Sequence, residues 1–422
     1  MRKVLIFLAV IYTFRILHIL FYPFDLTPEE AQYWDWSRHL DISYYSKPPM
    51  VAYLNAISSA ILGISELGVR IVPLILSFLL SIFSFLYIKN TIGEDLALRF
   101  VIISQLSIGF SLNSILATTD APLLFFWVLG LFAINSAINY GQLWRWVLSG
   151  SVFGLAFLSK FSAVLWIFCI GLFAIARRRD LIKKPGLYVS LVVFGVFTLP
   201  VIFWNIKHDF VSFRHVSALA SKESSMSIYS PAEFVLSQAL IMSIVPFFLM
   251  TYGFIKLFKD KRFEVFIFFS APVFLFFFAL SVFTKVEANW AGPALAGGFL
   301  IASYFIKGLN MWIYATLSVT ILAIIHFTPL LDKIGLGKIL PPERDPAKVG
   351  IGWKSLGDVV SSIRTDKEPI LTPHYQIAAQ LAFYVKSNPR TNCINLGRRM
   401  NQYDLWEKNY KGNAIFVDNK PI

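Results

Sequence analysis

Residues 25–50, DLTPEEAQYWDWSRHLDISYYSKPPM, form a polar and aromatic stretch set between the first two long apolar runs of the chain. Thr27 is followed three residues later by Glu30, with Pro28 between them. That is a capping box with proline in the first helical position, and it predicts a helix starting at Pro28. On this helix Glu29, Tyr33, Trp36 and Leu40 recur at i, i+4, i+7 and i+11 and share one face. Tyr33, Trp34 and Trp36 are of the types that prefer the headgroup level, so the helix is expected to lie along the bilayer surface. At the other end, Ser46-Lys47-Pro48-Pro49 forces Lys47 out of the α region and holds an ammonium beside the acid-bearing helix. The stretch reads as an active-site loop, taken as residues 23–68.

Each charged residue has a plainer reading. The capping box accounts for Glu30 in full, so Glu30→Gln, which keeps a capping residue, is expected to stay close to wild type. Glu29 gains only about 0.3–1 kcal/mol from the helix macrodipole, a weak structural reason for an acid there. Lys47 fits a snorkelling lysine as well as a ligand-binding one.

The chain has 422 residues, 56% of them hydrophobic and 15% charged, with a mean hydropathy of +0.63. These values describe a polytopic α-helical membrane protein. The formal charge of +13 is spread over alternate loops, which argues for membrane topology and against a nucleic-acid partner. Cys169 and Cys393 make neither a disulfide framework nor a metal site. Residues 1–22 have a basic start and an apolar run without a small-residue cleavage site, and read as the first membrane helix.

Apolar runs predict about eleven spans, near 4–22, 69–88, 98–117, 121–139, 145–159, 161–176, 186–204, 232–255, 263–283, 290–306 and 311–329. No broken span or internal repeat is evident. Residues 1–329 are thus a transmembrane domain. Residues 330–422, with PPERDP at 341–346, form a small soluble α/β domain: helices at Trp353–Ile363 and Ile377–Val385, strands at Asn392–Leu396 and Ala414–Val417.

Lys89, the Arg177–Arg179 run, Lys183, Lys184, Lys261 and Arg262 mark the basic, cytoplasmic side, while Lys47, Lys160, Lys207, Lys222 and Lys285 fall in the opposite loops. That puts the N-terminus inside the cell membrane and the C-terminal domain outside it.

The remaining polar strings share the outer side with Glu29 and Lys47: TTDAP at 118–122, Lys160, WNIKHDF at 204–210 and KVEANW at 285–290. Singly, Lys160 is a helix-end lysine and Asp120 an N-cap. Arg15, about 10 Å below the outer end of the first span, is a functional candidate or a partner for a neighbouring acid. Together, separated acids can activate an acceptor while lysines and a histidine stabilise a departing phosphate at the headgroup level. P-loop, GxGxxG, zinc-ligand and serine-hydrolase patterns are absent, and no cofactor or metal is indicated. A polyprenyl-linked lipid or sugar flippase is the alternative; it would be expected to show broken helices or paired repeats around a midplane site.

The order TPEEAQYWDWS…LDISYYSKPP, TTDAP, GLAFLSK, WN-x-x-HDF and K-x-E-x-NW resembles the GT-C integral-membrane glycosyltransferases, in the branch of protein O-mannosyltransferases and lipid A aminoarabinose transferases. The likeness covers roughly residues 1–310 and also Asn401 to Trp406. It implies transfer of one sugar, as from dolichyl-phosphate-mannose-like donors, from a polyprenyl-phosphate carrier to a lipid, protein or glycan acceptor, with inversion. It further implies Glu29 as base, Asp120 positioning acceptor or sugar, and Lys47, Lys160, His208 and Lys285 around the lipid phosphate. Glu30, Arg38, Asn205, Glu287 and Asn289 would support the site, with Tyr33 and Trp290 offering stacking faces.

The topology is directly testable. Single cysteines placed at Lys47, Lys207 or residue 354 are expected to react with an impermeant thiol reagent in intact cells, and cysteines at Lys89, Arg178 or Lys261 only after permeabilisation.

Overall fold

The structure, a computed structural model, describes residues 1–22, 24–221, 229–327, 350–365, 368–406 and 412–419. PPERDP, Lys222 and the boundary expected at 329/330 lie outside them. In chain order the helices are α1 Arg2–Phe21, α2 Pro28–Ser37, α3 Met50–Leu62, α4 Glu66–Thr91, α5 Glu94–Gln105, α6 Ile108–Asn113, α7 Asp120–Tyr140, α8 Leu143–Ser159 and α9 Leu165–Ala176. They continue with α10 Pro185–Lys207, α11 Val211–Ser221, α12 Tyr229–Met242, α13 Ile244–Lys256, α14 Glu264–Ser281, α15 Gly292–Phe305 and α16 Leu309–His326. The C-terminal part contributes α17 Trp353–Ile363, β1 Ile370–Thr372, α18 Tyr375–Tyr384, β2 Thr391–Cys393 and β3 Ile415–Phe416.

Among the described residues, six helices are long and apolar enough to cross a bilayer alone, and α12 with α13 makes a seventh if the bent pair is one span. The chain is a multi-pass membrane protein. Each of the eleven apolar runs is helical, but two are broken where the sequence showed no break. The third run divides into α5 and α6, and α12 turns by 108° into α13 at Ser243, whose φ of 69° is strained for a residue with a side chain. Arg15 accounts for the first break. Its guanidinium donates to the Gln105 side chain, to the Gln105 carbonyl at 3.2 Å and to Ser111 Oγ at 3.3 Å, so it takes up a carbonyl freed where α5 ends. Arg15 has no acid partner among the described residues; it is a structural brace.

Close approach between helices is bought by small residues, as in α8, where a side chain at Gly150 would meet the Ser190 carbonyl of α10 and one at Gly154 would meet Phe197. The tight turn from α7 to α8 uses Gly141 at φ 72°.

The C-terminal part is a parallel three-stranded sheet in the order β2-β1-β3, with α17 and α18 against it. Its central strand, Ile370–Thr372, was not expected from sequence because three residues carry too little periodicity. This module rests directly on α2. Ala379, Ala382 and Phe383 of α18 share one apolar cluster with Leu26, Ala31 and Trp34 of the loop, Val69 of α4 and Ala117. Consequently every residue from Glu30 to Trp36 is buried, and the aromatic residues of α2 face protein. Its helix ends at Ser37, so Leu40 is not on its face.

The helix starts at Pro28 with the capping box as expected: Thr27 N donates to Glu30 Oε2 at 2.9 Å and Glu30 N to Thr27 Oγ1 at 3.4 Å. Glu30 does more than cap. Arg70 on α4 donates Nε to Oε1 at 3.0 Å and Nη2 to Oε2 at 2.9 Å, and the Ala117 N–H donates to Oε1 at 3.0 Å. Both charged side chains are out of solvent, 0% exposed for Glu30 and 2% for Arg70. Burial alone would raise the Glu30 carboxyl, but the Arg70 guanidinium, with the two N–H donors, holds it below the usual range.

This overturns the expectation for Glu30→Gln. The amide leaves Arg70 buried without a counter-charge, and losing one member of a buried pair costs about 3–5 kcal/mol. We expect a clear fall in Tm by scanning fluorimetry. The double variant Glu30→Gln/Arg70→Met should lose less than the sum of the two single losses. Because the folded pKa is depressed, the stabilisation is present at neutral pH, above the unfolded carboxylate pKa, and is lost as pH falls through the folded value.

Candidate active site

Glu29 occupies the second position of α2, where the capping box and Pro28 fix the first turn, and its carboxylate opens to solvent. One turn on and on the same face, Tyr33 is buried, packed edge-on to Trp36 with ring centres 5.2 Å apart and within reach of the Thr119 hydroxyl. Trp36 stacks on Tyr44 at 4.5 Å and 12°, which folds the chain back from α2. Tyr44 N then donates to the Lys47 carbonyl at 3.1 Å, and Pro48 and Pro49 are buried at the start of α3. The returning limb therefore presents Lys47 towards the helix that carries Glu29.

Asp120 is the first residue of α7 and is tied on both oxygens: Lys160 Nζ donates to Oδ1 and Asn289 Nδ2 to Oδ2, each at 2.7 Å. Lys160 is extended at the end of α8, where the chain turns, so its ammonium stays at the cluster. Glu30 couples the two parts, since its oxygen holds the Ala117 N–H three residues before Asp120.

The electrostatics follow from this crowding. Although its tip opens to solvent, desolvation by the protein packed around it raises the Glu29 carboxyl above its ordinary range; Lys47 and Lys160 pull it back, and Asp120 and Glu287 push it further up. Burial also lowers the Lys47 ammonium, with repulsion from Lys160 adding and Glu29 and Asp120 opposing. Beneath the cluster, a cavity of about 250 Å³ reaches Asp120 and Asn289 at one end and is otherwise lined mainly by apolar groups such as Phe110, Leu124, Ile241 and Phe299. An acid thus stands beside two ammonium groups in a cluster whose Asp120 and Asn289 line an apolar cavity, an arrangement suited to a polar headgroup with a lipid tail.

The structure brings together Glu29, Lys47, Asp120, Lys160, Glu287, Asn289 and the buried Tyr33. It does not bring the other expected residues to them. His208 stacks on Trp204 at 3.9 Å and bonds the Trp204 carbonyl through Nδ1 at 2.8 Å. Lys285 is exposed, 3.9 Å from Glu233. Arg38 pairs with Asp35 at 3.3 Å and lies over Trp34. Asn205 is buried and structural: its Oδ1 accepts the Ser212 N–H at 3.1 Å, holding the corner in which Asp209 and Phe210 take φ of 52° and 55°. Trp290 is half-buried and packs edge-on to Phe277 with ring centres 6.3 Å apart, while Tyr33 is enclosed and presents no free stacking face.

Two contributors were missed. By sequence Arg70 is one more basic residue of the loops opposite the basic side, and only its distant partner Glu30 reveals its role. His215, not His208, is the histidine beside the loop: its ring lies 4.7 Å from that of Tyr45, and burial, helped by Arg399 and Lys47, pushes its pKa down to about 4. The amphipathic run after residue 210 was its available signal. Among the described residues, no group of three or more His, Cys, Asp or Glu gathers as metal ligands would.

The description "dolichyl-phosphate-mannose-protein mannosyltransferase" belongs to a family model that matches residues 46–204. The lipid A galacturonosyltransferase RgtD of Rhizobium johnstonii is 27% identical over 324 residues, 72% of this chain and 67% of that protein. In fold, the chain is similar to ArnT from Cupriavidus metallidurans in its crystal structure bound to undecaprenyl phosphate, with a TM-score of 0.71 at 13% identity over 96% of this chain and 86% of that one. It is also similar to the oligosaccharyltransferase AglB from Archaeoglobus fulgidus, with a TM-score of 0.56 at 10% identity over 92% and 64% of the two chains. The chain is a multi-pass membrane protein that shares its fold with these solved structures, and in sequence it is similar to the mannosyltransferase family over residues 46–204 and to the lipid A galacturonosyltransferase.

Proposed function

We propose that the protein moves a single sugar from a polyprenyl-phosphate carrier to an acceptor hydroxyl on the extracytoplasmic face of the cell membrane, with inversion. The observation that carries this reading is the gathering of Glu29 and Lys47 around the Asp120–Lys160–Asn289 set, of which Asp120 and Asn289 line the apolar cavity. The cavity takes the isoprenoid chain, which leaves the phosphate and sugar among the charged groups.

Glu29 accepts the proton of the acceptor hydroxyl as its oxygen bonds to the anomeric carbon. The bond from that carbon to the phosphate oxygen breaks, its electron pair stays on the phosphate, and polyprenyl phosphate leaves. A single displacement from the opposite face inverts the anomeric centre. Lys47 forms no ion pair among the described residues and is the phosphate contact. Lys160 is engaged by Asp120 and contributes positive field while fixing that carboxylate for sugar or acceptor.

The helix breaks favour a transporter in principle. Residues beside both breaks line the cavity, but Gly109 and Ile241 are apolar, and the one charged residue that lines it, Asp120, belongs to the cluster with Lys160 and Asn289.

Reconstituted protein given radiolabelled polyprenyl-phosphate sugars is expected to release polyprenyl phosphate only when acceptor is present; lipid movement without release would mean transport. A panel with mannosyl, galacturonosyl and other donors identifies the sugar.

Glu29→Gln is expected to lower turnover by roughly 10² to 10⁴ with little change in Tm, and Glu29→Asp to recover part of the rate. Wild-type turnover in Glu29→Gln would remove it as the base.

Lys47→Ala is expected to raise the donor KM and lower kcat/KM. The acid limb of the pH profile of kcat/KM should lie above 4.5, since Glu29 is raised. Lys47→Ala should move it higher still, because a cation that favours the ionised carboxylate has gone.

A further inference from the structure

Both limbs of the catalytic loop are held by the C-terminal module through one short turn. Residues Gln402–Asp404 form a 3-10 turn whose conformation is set locally: Asn401 and Asp404 make a reciprocal capping box, and Asp404 also grips Arg398 at 2.7 Å. Arg398 in turn reaches the Cys393 carbonyl at the end of β2, so the turn is braced against the sheet. From this rigid base two contacts leave the module. Tyr403 Oη donates to Asp35 Oδ2 at 2.6 Å, with both side chains buried. Gln402 Oε1 accepts the Tyr45 N–H, also at 2.6 Å and buried.

Their targets lie on opposite sides of the site. Asp35 is six residues after Glu29 on α2, about 9 Å along the helix axis. Tyr45 is two residues before Lys47 on the returning limb. The membrane domain fixes the first end of α2 through Arg70 and Glu30, but the far end of the helix is pinned by Tyr403. Trp406, just beyond the turn, packs edge-on to Tyr403 at 5.0 Å and joins the aromatic cluster of Tyr33, Trp36 and Tyr44.

We infer that the Gln402–Asp404 turn is a positioning device for the transfer reaction, in which Tyr403 acting through Asp35 orients Glu29 and Gln402 acting through Tyr45 orients Lys47. The inference rests on the proposed roles of Glu29 and Lys47. Neither Tyr403 nor Gln402 touches the reacting atoms. A displacement of 1 Å in a reacting group can cost on the order of a hundredfold in rate, so loss of either contact should register in catalysis.

The test uses the full-length protein in nanodiscs, with kcat and donor KM measured per folded molecule and Tm recorded alongside. Tyr403→Phe is expected to lower kcat about ten- to a hundredfold with donor KM within about twofold. Asp35→Asn, whose side-chain oxygen still accepts from the Tyr403 hydroxyl, should stay within about threefold of wild type. Gln402→Met removes only the acceptor for Tyr45 N–H and should raise donor KM, since it acts on Lys47. Gln402→Glu, which keeps the acceptor, should restore it. The inference is overturned if the folded Tyr403→Phe and Gln402→Met proteins keep wild-type kcat and KM and differ only in Tm, or if Asp35→Asn is as inactive as Tyr403→Phe. If Tyr403→Phe does not fold, the Gln402 pair decides alone. Inactive wild-type protein with every donor would instead strike at the proposed function.

Discussion

The ion pair between Glu30 and Arg70 is the constraint on which the site end of the molecule depends. Five donors converge on one buried carboxylate, from the helix cap, from α4 and from the segment leading into α7. Taking two charges out of water is costly, and the pair is stabilising only because every lone pair it exposes is used. In return, three segments far apart in sequence are brought into register. α2 is seated on the membrane domain, and Asp120 is held three residues from an N–H that Glu30 has captured.

Glu29 and Glu30 are adjacent, yet helix geometry separates their directions by about 100 degrees, so one cannot replace the other. Glu30 points into protein and is kept ionised by Arg70. Glu29 opens to the cleft, and its proton affinity is raised by burial and by two other carboxylates. A base poised above the ordinary carboxylate range is a stronger proton acceptor. The same neighbourhood carries Lys47 and Lys160, which keep the ionised form accessible. The division of labour between structural and chemical acid thus follows from a single helical step.

Much of this was legible in the sequence wherever local physics decides. The Pro28 helix start and the apolar runs rest on capping, length and composition, and each has its counterpart in the structure. What escaped depended on contacts across the chain. Arg70 finds Glu30 forty residues away, and Asp35 finds Tyr403 at a separation of 368. The aromatic face of α2 suggested lipid because sequence cannot tell a headgroup from a covering domain; α18 provides the cover. His208 looked functional through its motif, but its ring is spent on Trp204 and the corner that Asn205 holds. Both helix breaks were invisible because they occur at ordinary residues, supported by Arg15 in one case and by a strained Ser243 in the other.

The charge balance of the site explains why a phosphate is the group it suits. Asp120 already satisfies Lys160 and Asn289, so that triad is electrostatically closed. Lys47 is different: burial and the neighbouring Lys160 both disfavour its charge, and among the described residues no carboxylate hydrogen-bonds it. An anion arriving between the two lysines relieves their repulsion and compensates the desolvation of Lys47 in one step. A neutral leaving group gains nothing there, and a free nucleotide has no use for the apolar cavity below. A phosphate carried on a long apolar chain meets both demands, and in the proposed reaction the negative charge that collects on it as the sugar leaves is the charge assigned to Lys47.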